Sequence, residues 1–319
     1  MKRIIFITAI LLLLGAFAGL NALSRRHARA MMRYADGGPR TPKPEELSGG
    51  GKLRTLFKGV NLPRPYASVV PMNWGIEFKA LRIGDESGPV LGAWYCPNKD
   101  GSPLAILFHG YGAEKSSLLP ETRAFMALGF SVLLVDFRGS GDSSESYTSF
   151  GYHEADDVAL AFRAASESLP HSHIILYGQS MGGAAILRAM HVHDVQPDGV
   201  IVEAVFDRML NTVRNRFKAM GVPGFPNAEL LVYWGGREVG FDGFAHNPEM
   251  YARSVNCPIL FLHGEVDSRA RVEEARRVYD AVGERKSFVV FAGTGHESCV
   301  SSHPEEWAVA VKDFVAGLD

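Results

Sequence analysis

Three residues of this chain have the types and the surroundings needed for nucleophilic catalysis. Ser180 stands at the centre of Gly178-Gln-Ser180-Met-Gly182, Asp267 closes His263-Gly264-Glu-Val-Asp267, and His296 closes Gly293-Thr-Gly295-His296. A serine hydroxyl is a poor nucleophile until a base takes its proton, and histidine does this near neutral pH. The histidine in turn needs a carboxylate to fix its tautomer and stabilise its charged form. The chemistry this set would perform is acyl transfer through a covalent intermediate. Glu203 is the main rival for the acid. Asp136 comes earlier in the chain and is expected to organise its own loop with Arg138.

The elements that must position these residues can be read from pattern. Ile174 to Tyr177 is a short apolar run suited to a buried strand, and Gly183 to Met190 is rich in helix formers. Ser180 therefore lies on a sharp strand-to-helix turn, which exposes its hydroxyl and favours glycine two residues to either side. Alone, the pentapeptide is a weak signal; the flanking strand and helix strengthen it. Further strands are expected over Leu104–Phe108, Phe130–Val135, Gly199–Val202, Pro258–Leu262 and Ser287–Phe291. An alternating segment, Ile76–Ile83, and a second strand, Val90–Cys96, predict a leading edge hairpin, with a turn over Gly84–Pro89. Helices are expected near Leu118–Leu128, Glu154–Ser168, Arg208–Met220, Val272–Val282 and Pro304–Gly317. This alternation predicts an α/β fold, a mostly parallel sheet covered by helices on both faces. Ligands of such sheets bind beyond the carboxyl ends of the strands, where Ser180, Asp267, His296 and Tyr111 would meet. The rhythm loosens between residues 204 and 256, which predicts a cap-like insertion whose aromatics either line an acyl pocket or form a satellite core.

Composition narrows the partners. The chain has 319 residues, of which 46% are hydrophobic, enough to bury a full core. Its 33 basic and 35 acidic residues nearly balance, which disfavours nucleic acid. Cys96, Cys257 and Cys299 make no disulfide framework, although one bridge would suit an exported protein. His109 and His263 precede glycines at strand ends and are expected to be structural. The pairs His171/His173 and His191/His193 lack neighbouring carboxylate or cysteine clusters and are expected to be solvated rather than metal-binding. An apolar run from Ile4 to Leu23 follows Lys2 and Arg3 and precedes Arg25, Arg26, Arg29 and Arg33. Residues 1–33 are thus expected to be a retained membrane anchor, or a signal peptide cleaved after Ala16-Phe17-Ala18 and the protein then exported. The Pro-, Gly- and charge-rich stretch 34–58 reads as a linker, leaving 59–319 as the main domain.

With these segments the chain from about Ile76 onward resembles the α/β-hydrolase superfamily, and in particular its BEM46-like and acyl-protein-thioesterase-like branch. The matching elements are His109-Gly110-Tyr111-Gly112, Asp136-x-Arg138-Gly139-x-Gly141-x-Ser143, Gly178-Gln-Ser180-Met-Gly182-Gly183, Pro258 with His263-Gly264-x-x-Asp267, and Gly293-x-Gly295-His296. The resemblance implies Ser180 as nucleophile, His296 as base and Asp267 as orienting acid. It also implies an oxyanion hole from the backbone N–H groups of Tyr111 and Met181. The expected activity is hydrolysis of a carboxylic ester or thioester of small-molecule or lipid-like character. No cofactor is expected, since no glycine-rich loop fits a nucleotide fingerprint. A peptidase or amidase on the same triad and a non-catalytic binding protein are the alternatives.

Overall fold

The computed structural model describes residues 1–44, 46–85 and 88–318. Eight strands form one sheet in the order β1-β2-β4-β3-β5-β6-β7-β8. The strands are β1 (Lys79–Ile83), β2 (Leu91–Cys96), β3 (Leu104–Phe108), β4 (Ser131–Val135), β5 (Ile174–Gln179), β6 (Gly199–Glu203), β7 (Ile259–Gly264) and β8 (Lys286–Phe291). β1 pairs antiparallel with β2 and β2 antiparallel with β4, which makes the expected edge hairpin; every other pairing is parallel. The turn expected over Gly84–Pro89 falls partly outside the described residues.

The central strands are apolar along their whole length because both faces are covered. Alternate residues feed two cores. On one face Ile106, Leu133, Leu176, Val202 and Phe261 pack with Val158, Ala161, Ala185, Ile186 and Val278. These come from helices α4 (Glu154–Ser168), α5 (Met181–His193) and α9 (Val272–Ala281). On the other face Leu107, Leu134, Ile175, Tyr177 and Leu262 pack with Phe125, Trp307 and Val311. Those belong to α3 (Leu119–Ala127) and α11 (Pro304–Ala316). The three cysteines are free, and Cys96 and Cys299 are buried in this second core.

Between β6 and β7 the chain forms α6 (Met209–Met220), α7 (Asn227–Val239) and the short α8 (Pro248–Tyr251); a further short helix, α10 (Cys299–Ser302), precedes α11. Helix α7 was not legible in the sequence because Gly235 and Gly236 interrupt it. Both glycines are needed for close approach. A Cβ at Gly235 would lie 2.8 Å from the Met32 Cε, and one at Gly236 would lie 2.4 Å from the Phe241 carbonyl oxygen.

That Met32 belongs to α1 (Lys2–Met32), one continuous helix. Ser24, Ala28 and Met32, spaced at four residues, are its buried stripe, while the apolar run before them is exposed as far as Gly19 and half-buried at Leu20 and Leu23. Arg33 pairs with Glu238 of α7 at 2.6 Å, and the Arg25 guanidinium sits 5.3 Å over the Trp234 ring. The stretch expected as a loose linker differs from that expectation. Gly49–Lys58 forms helix α2, capped by the Ser48 hydroxyl, which accepts the Gly51 N–H. Three successive glycines open it, so propensity alone hides it. Tertiary bonds hold it: Arg26 donates to the Phe57 carbonyl, His27 Nε2 to that of Leu56 at 2.8 Å, and Lys52 to that of Ala219 at 2.7 Å.

Two carboxylates are buried beneath the sheet's carboxyl end. Burial, together with the neighbouring Glu203, pushes the Glu121 carboxyl up to about 8, and burial also raises that of Glu203. A carboxyl raised on folding contributes stability that is lost as pH climbs from the ordinary carboxylate value through the folded one. Wild type should therefore lose melting temperature between about pH 5 and about pH 9, by roughly 2–4 °C per kcal/mol, and Glu121→Gln should flatten that slope. Equal slopes in calorimetric scans of the two proteins would contradict this assignment.

Candidate active site

Ser180 joins β5 to α5 with φ 52° and ψ −108°, a left-handed backbone that a non-glycine residue adopts only when its surroundings force it. The flanking glycines show why. A Cβ on Gly178 would lie 2.5 Å from the Gly182 carbonyl carbon, and one on Gly182 would lie 2.3 Å from the Phe108 carbonyl oxygen. The Ser180 N–H donates to the Glu203 carbonyl at 2.7 Å, locking the turn to β6.

The structure brings Ser180, His296 and Asp267 together from three loops. His296 Nε2 lies 3.1 Å from the Ser180 Oγ, and His296 Nδ1 lies 2.6 Å from an Asp267 carboxylate oxygen. The other carboxylate oxygen accepts the N–H groups of Arg269 at 2.8 Å and Ala270 at 3.0 Å. Burial opposes the Asp267 charge, but the hydrogen bond from His296 and these N–H groups hold its carboxyl below the usual range. An ionised Asp267 accepting the His296 Nδ1–H would leave His296 Nε2 facing the Ser180 hydroxyl. His263 stands 3.8 Å from Asp267 and donates to the Ala270 carbonyl; burial lowers its pKa, so it supports the loop as a neutral ring.

Glu203, the rival acid, does different work. One oxygen accepts the Cys299 N–H at 3.0 Å and lies 3.4 Å from Gln179 Nε2, so it ties the His296 loop to the strand that carries Ser180. Asp136 is not paired with Arg138. It binds the buried Lys115 side chain and, at 2.8 Å, the Lys115 N–H, while Arg138 forks onto Asp157. His191 and His193 bind Ser254 and Asp156, and His171 donates to the Leu169 carbonyl.

Tyr111 and Met181 flank the serine. Met181 is the first residue of α5, so its N–H has no acceptor within that helix. Gly110 backs onto Gln179 and Ser180, and His109 fixes this loop by donating to the Gly110 carbonyl at 2.8 Å while accepting the Phe137 N–H at 3.1 Å. The Tyr111 ring stacks on Phe150 at 4.1 Å, and its hydroxyl donates to the Met31 carbonyl at 2.7 Å.

Above Ser180 and His296 opens a cavity of about 940 Å³. Its apolar wall includes Leu20, Leu23, Leu47, Leu56, Phe217 and Leu231. The insertion does line the pocket, but through Phe217, Met220 and Leu231 rather than through its loop aromatics; Phe225 and Phe244 face solvent. The polar wall carries His27, Arg40, Lys43, Arg216 and Arg269 against the acids Glu46 and Glu114. None of the residues from α1, α2 or the arm 40–47 was expected here. The available signal was the continuation of the helical pattern past the apolar run, with Ser24, Ala28 and Met32 at four-residue spacing among arginines.

Comparison with known proteins shows similarity to hydrolases over parts of the chain. Residues 102–222 match the family described as serine aminopeptidase, S33. The chain is 22% identical to the uncharacterized protein YqkD of Bacillus subtilis over 270 residues, 83% of each protein. It is 21% identical to the protein bem46 of Schizosaccharomyces pombe over 255 residues, 78% of this chain and 80% of that one. It is 23% identical to the lysophosphatidylserine lipase ABHD12 of Danio rerio over 205 residues, 61% of this chain and 51% of that one. Among solved structures, the Pyrococcus furiosus esterase Pf2001 superimposes with a TM-score of 0.68 at 24% identity, over 80% of this chain and 97% of that one. The esterase EaEST of Exiguobacterium antarcticum gives 0.56 at 16% identity, over 75% and 100%.

The two acids should separate in mutants. Asp267→Asn should lower any hydrolytic kcat by at least about 10³-fold, because the amide favours the wrong histidine tautomer. Glu203→Gln should stay within roughly tenfold of wild type, since the amide oxygen still accepts the Cys299 N–H. The reverse order in steady-state kinetics would reassign the acid.

Proposed function

We propose that this chain, which is similar to BEM46-like α/β hydrolases, is a serine hydrolase that cleaves carboxylic esters or thioesters through an acyl-enzyme. The observation that carries this is the unbroken chain of hydrogen bonds from Asp267 through His296 to Ser180 at the floor of an apolar cavity. Ser180 Oγ attacks the acyl carbon as His296 Nε2 takes its proton. The oxyanion is stabilised by the N–H groups of Tyr111 and Met181, with the positive end of α5 directed at it. His296 then gives its proton to the departing alcohol or thiol. Water, deprotonated by His296, attacks the acyl carbon, the acid leaves, and Ser180 recovers its proton.

The walls support a particular substrate class. The apolar side suits an acyl chain, and the excess of cations over acids on the polar side suits an anionic head. The lysophosphatidylserine lipase among the relatives has a substrate name with both features, so a single-chain acyl ester with an anionic head is the substrate we assign. Helix α1 is long and apolar enough to cross a bilayer. We read it as a retained anchor, since the same helix continues without a break into the packed body. The family description as a serine aminopeptidase favours one second reading, an amidase on the same triad, which aminoacyl anilides would detect.

Ser180→Ala should lower p-nitrophenyl ester hydrolysis by at least about 10³-fold with an unchanged melting temperature. Ester hydrolysis that persists in Ser180→Ala would refute the mechanism, and cleavage of anilides but not esters would move the protein to the second reading.

A further inference from the structure

The cavity above Ser180 extends beyond the sheet and the insertion. Its wall includes Leu20, Leu23, Ser24, His27 and Met31. They are spaced by three, one, three and four residues, so they form one face of α1. Leu20 and Leu23 belong to the apolar run itself. The wall therefore begins inside the segment that suits a bilayer and ends at Met31, whose carbonyl accepts the Tyr111 hydroxyl. Over the eleven steps from Leu20 to Met31 α1 rises about 16 Å.

Helix α2 covers the same cavity. Thr55 and Leu56 face inward, while Leu53 and Phe57 are 58% and 67% exposed. Lys52, Arg54 and Lys58 accompany them. Exposed apolar residues with cations on one helix suit the surface of a bilayer. The bonds from Arg26 and His27 hold α2 beside α1, and that from Lys52 holds it to the end of α6. The exposed apolar side chains of α2 are thus fixed next to the point where the apolar run of α1 ends. A helix that served only to tether the protein would need neither contact.

We infer that α1 is a wall of the acyl site as well as an anchor: the substrate is a long-chain acyl ester drawn directly from the bilayer, its tail lying against Leu20, Leu23 and Leu56 while its ester group reaches Ser180. This rests on the serine-hydrolase reading above. The physical advantage is that the tail passes from lipid to a protein wall without exposing its methylenes to water.

The test uses the full chain in phosphatidylcholine nanodiscs and two fluorophosphonates, one with a methyl and one with a hexadecyl chain. The readout is the ratio of long-chain to short-chain labelling rates. Leu23→Trp should lower this ratio about tenfold, the scale at which a misfitted apolar pocket discriminates. Leu13→Trp, on an exposed part of the same helix, should leave it unchanged. An unchanged ratio in Leu23→Trp, or an equal fall in both variants, would overturn the inference. A second measurement needs no variant. A hexadecyl probe with a terminal diazirine, bound to wild type and irradiated, should crosslink to residues 20–31 of α1. Crosslinks confined to other elements would overturn the inference while leaving the nucleophile in place. No labelling by either probe would remove the nucleophile, and the acyl-wall inference with it.

Discussion

Ser180 is held in a backbone conformation it would not choose, and the rest of the site is built around that constraint. β3 blocks any side chain at Gly182, α5 blocks any at Gly178, and the Glu203 carbonyl fixes the Ser180 N–H. Strain of this kind costs of order 1–3 kcal/mol, and the buried parallel strands around β5 can supply it. The same turn directs the serine hydroxyl at His296 and starts α5 with an N–H that no helical carbonyl uses. Glu203 serves both sides of the arrangement, since its backbone holds the serine and its side chain holds the loop that follows the histidine.

A second constraint runs from the N-terminus into the same loop. The Tyr111 hydroxyl is bonded to the end of α1, and the ring is stacked on Phe150. Phe150 is itself placed by the buried Glu154, which accepts the N–H groups of Ser149 at 2.8 Å and Gly151 at 2.9 Å. The position of one proposed oxyanion donor is thus coupled to the seating of α1 on the body. Small residues make that seating close: Ser24 and Ala28 are buried on α1, and Gly235 faces Met32 from α7.

The parts legible in the sequence are those where local pattern and final environment agree. Glu154–Ser168 carries its apolar residues at helical spacing and forms that helix to the residue. The apolar runs at Leu104, Ser131, Ile174 and Ile259 became central strands because burial on both faces leaves no reason to alternate. The order of Ser180, Asp267 and His296 along the chain was enough to bring three distant loops to one end of the sheet. What was not legible is whatever depends on a partner far away in sequence. Gly49 to Gly51 read as linker because their helix is stabilised by Arg26, His27 and Ala219 rather than by propensity. Gly235 and Gly236 read as a loop because their purpose is to admit Met32 and Phe241. Asp136 does organise its own loop, accepting the Asp142 N–H at 3.0 Å, but with the buried Lys115 from another loop rather than with Arg138. The Lys and Arg side chains of the cavity come from three separate segments, and no local pattern unites them.

The central claim is that Ser180 is a nucleophile activated by His296 and Asp267. The most direct measurement is to react the folded protein with a short fluorophosphonate and locate the adduct by peptide mass spectrometry. The account predicts one phosphonyl group, on Ser180, forming at a rate that falls by at least about 10³-fold in His296→Ala. A folded wild type that takes up no phosphonyl group, or that carries it on another serine, would contradict it.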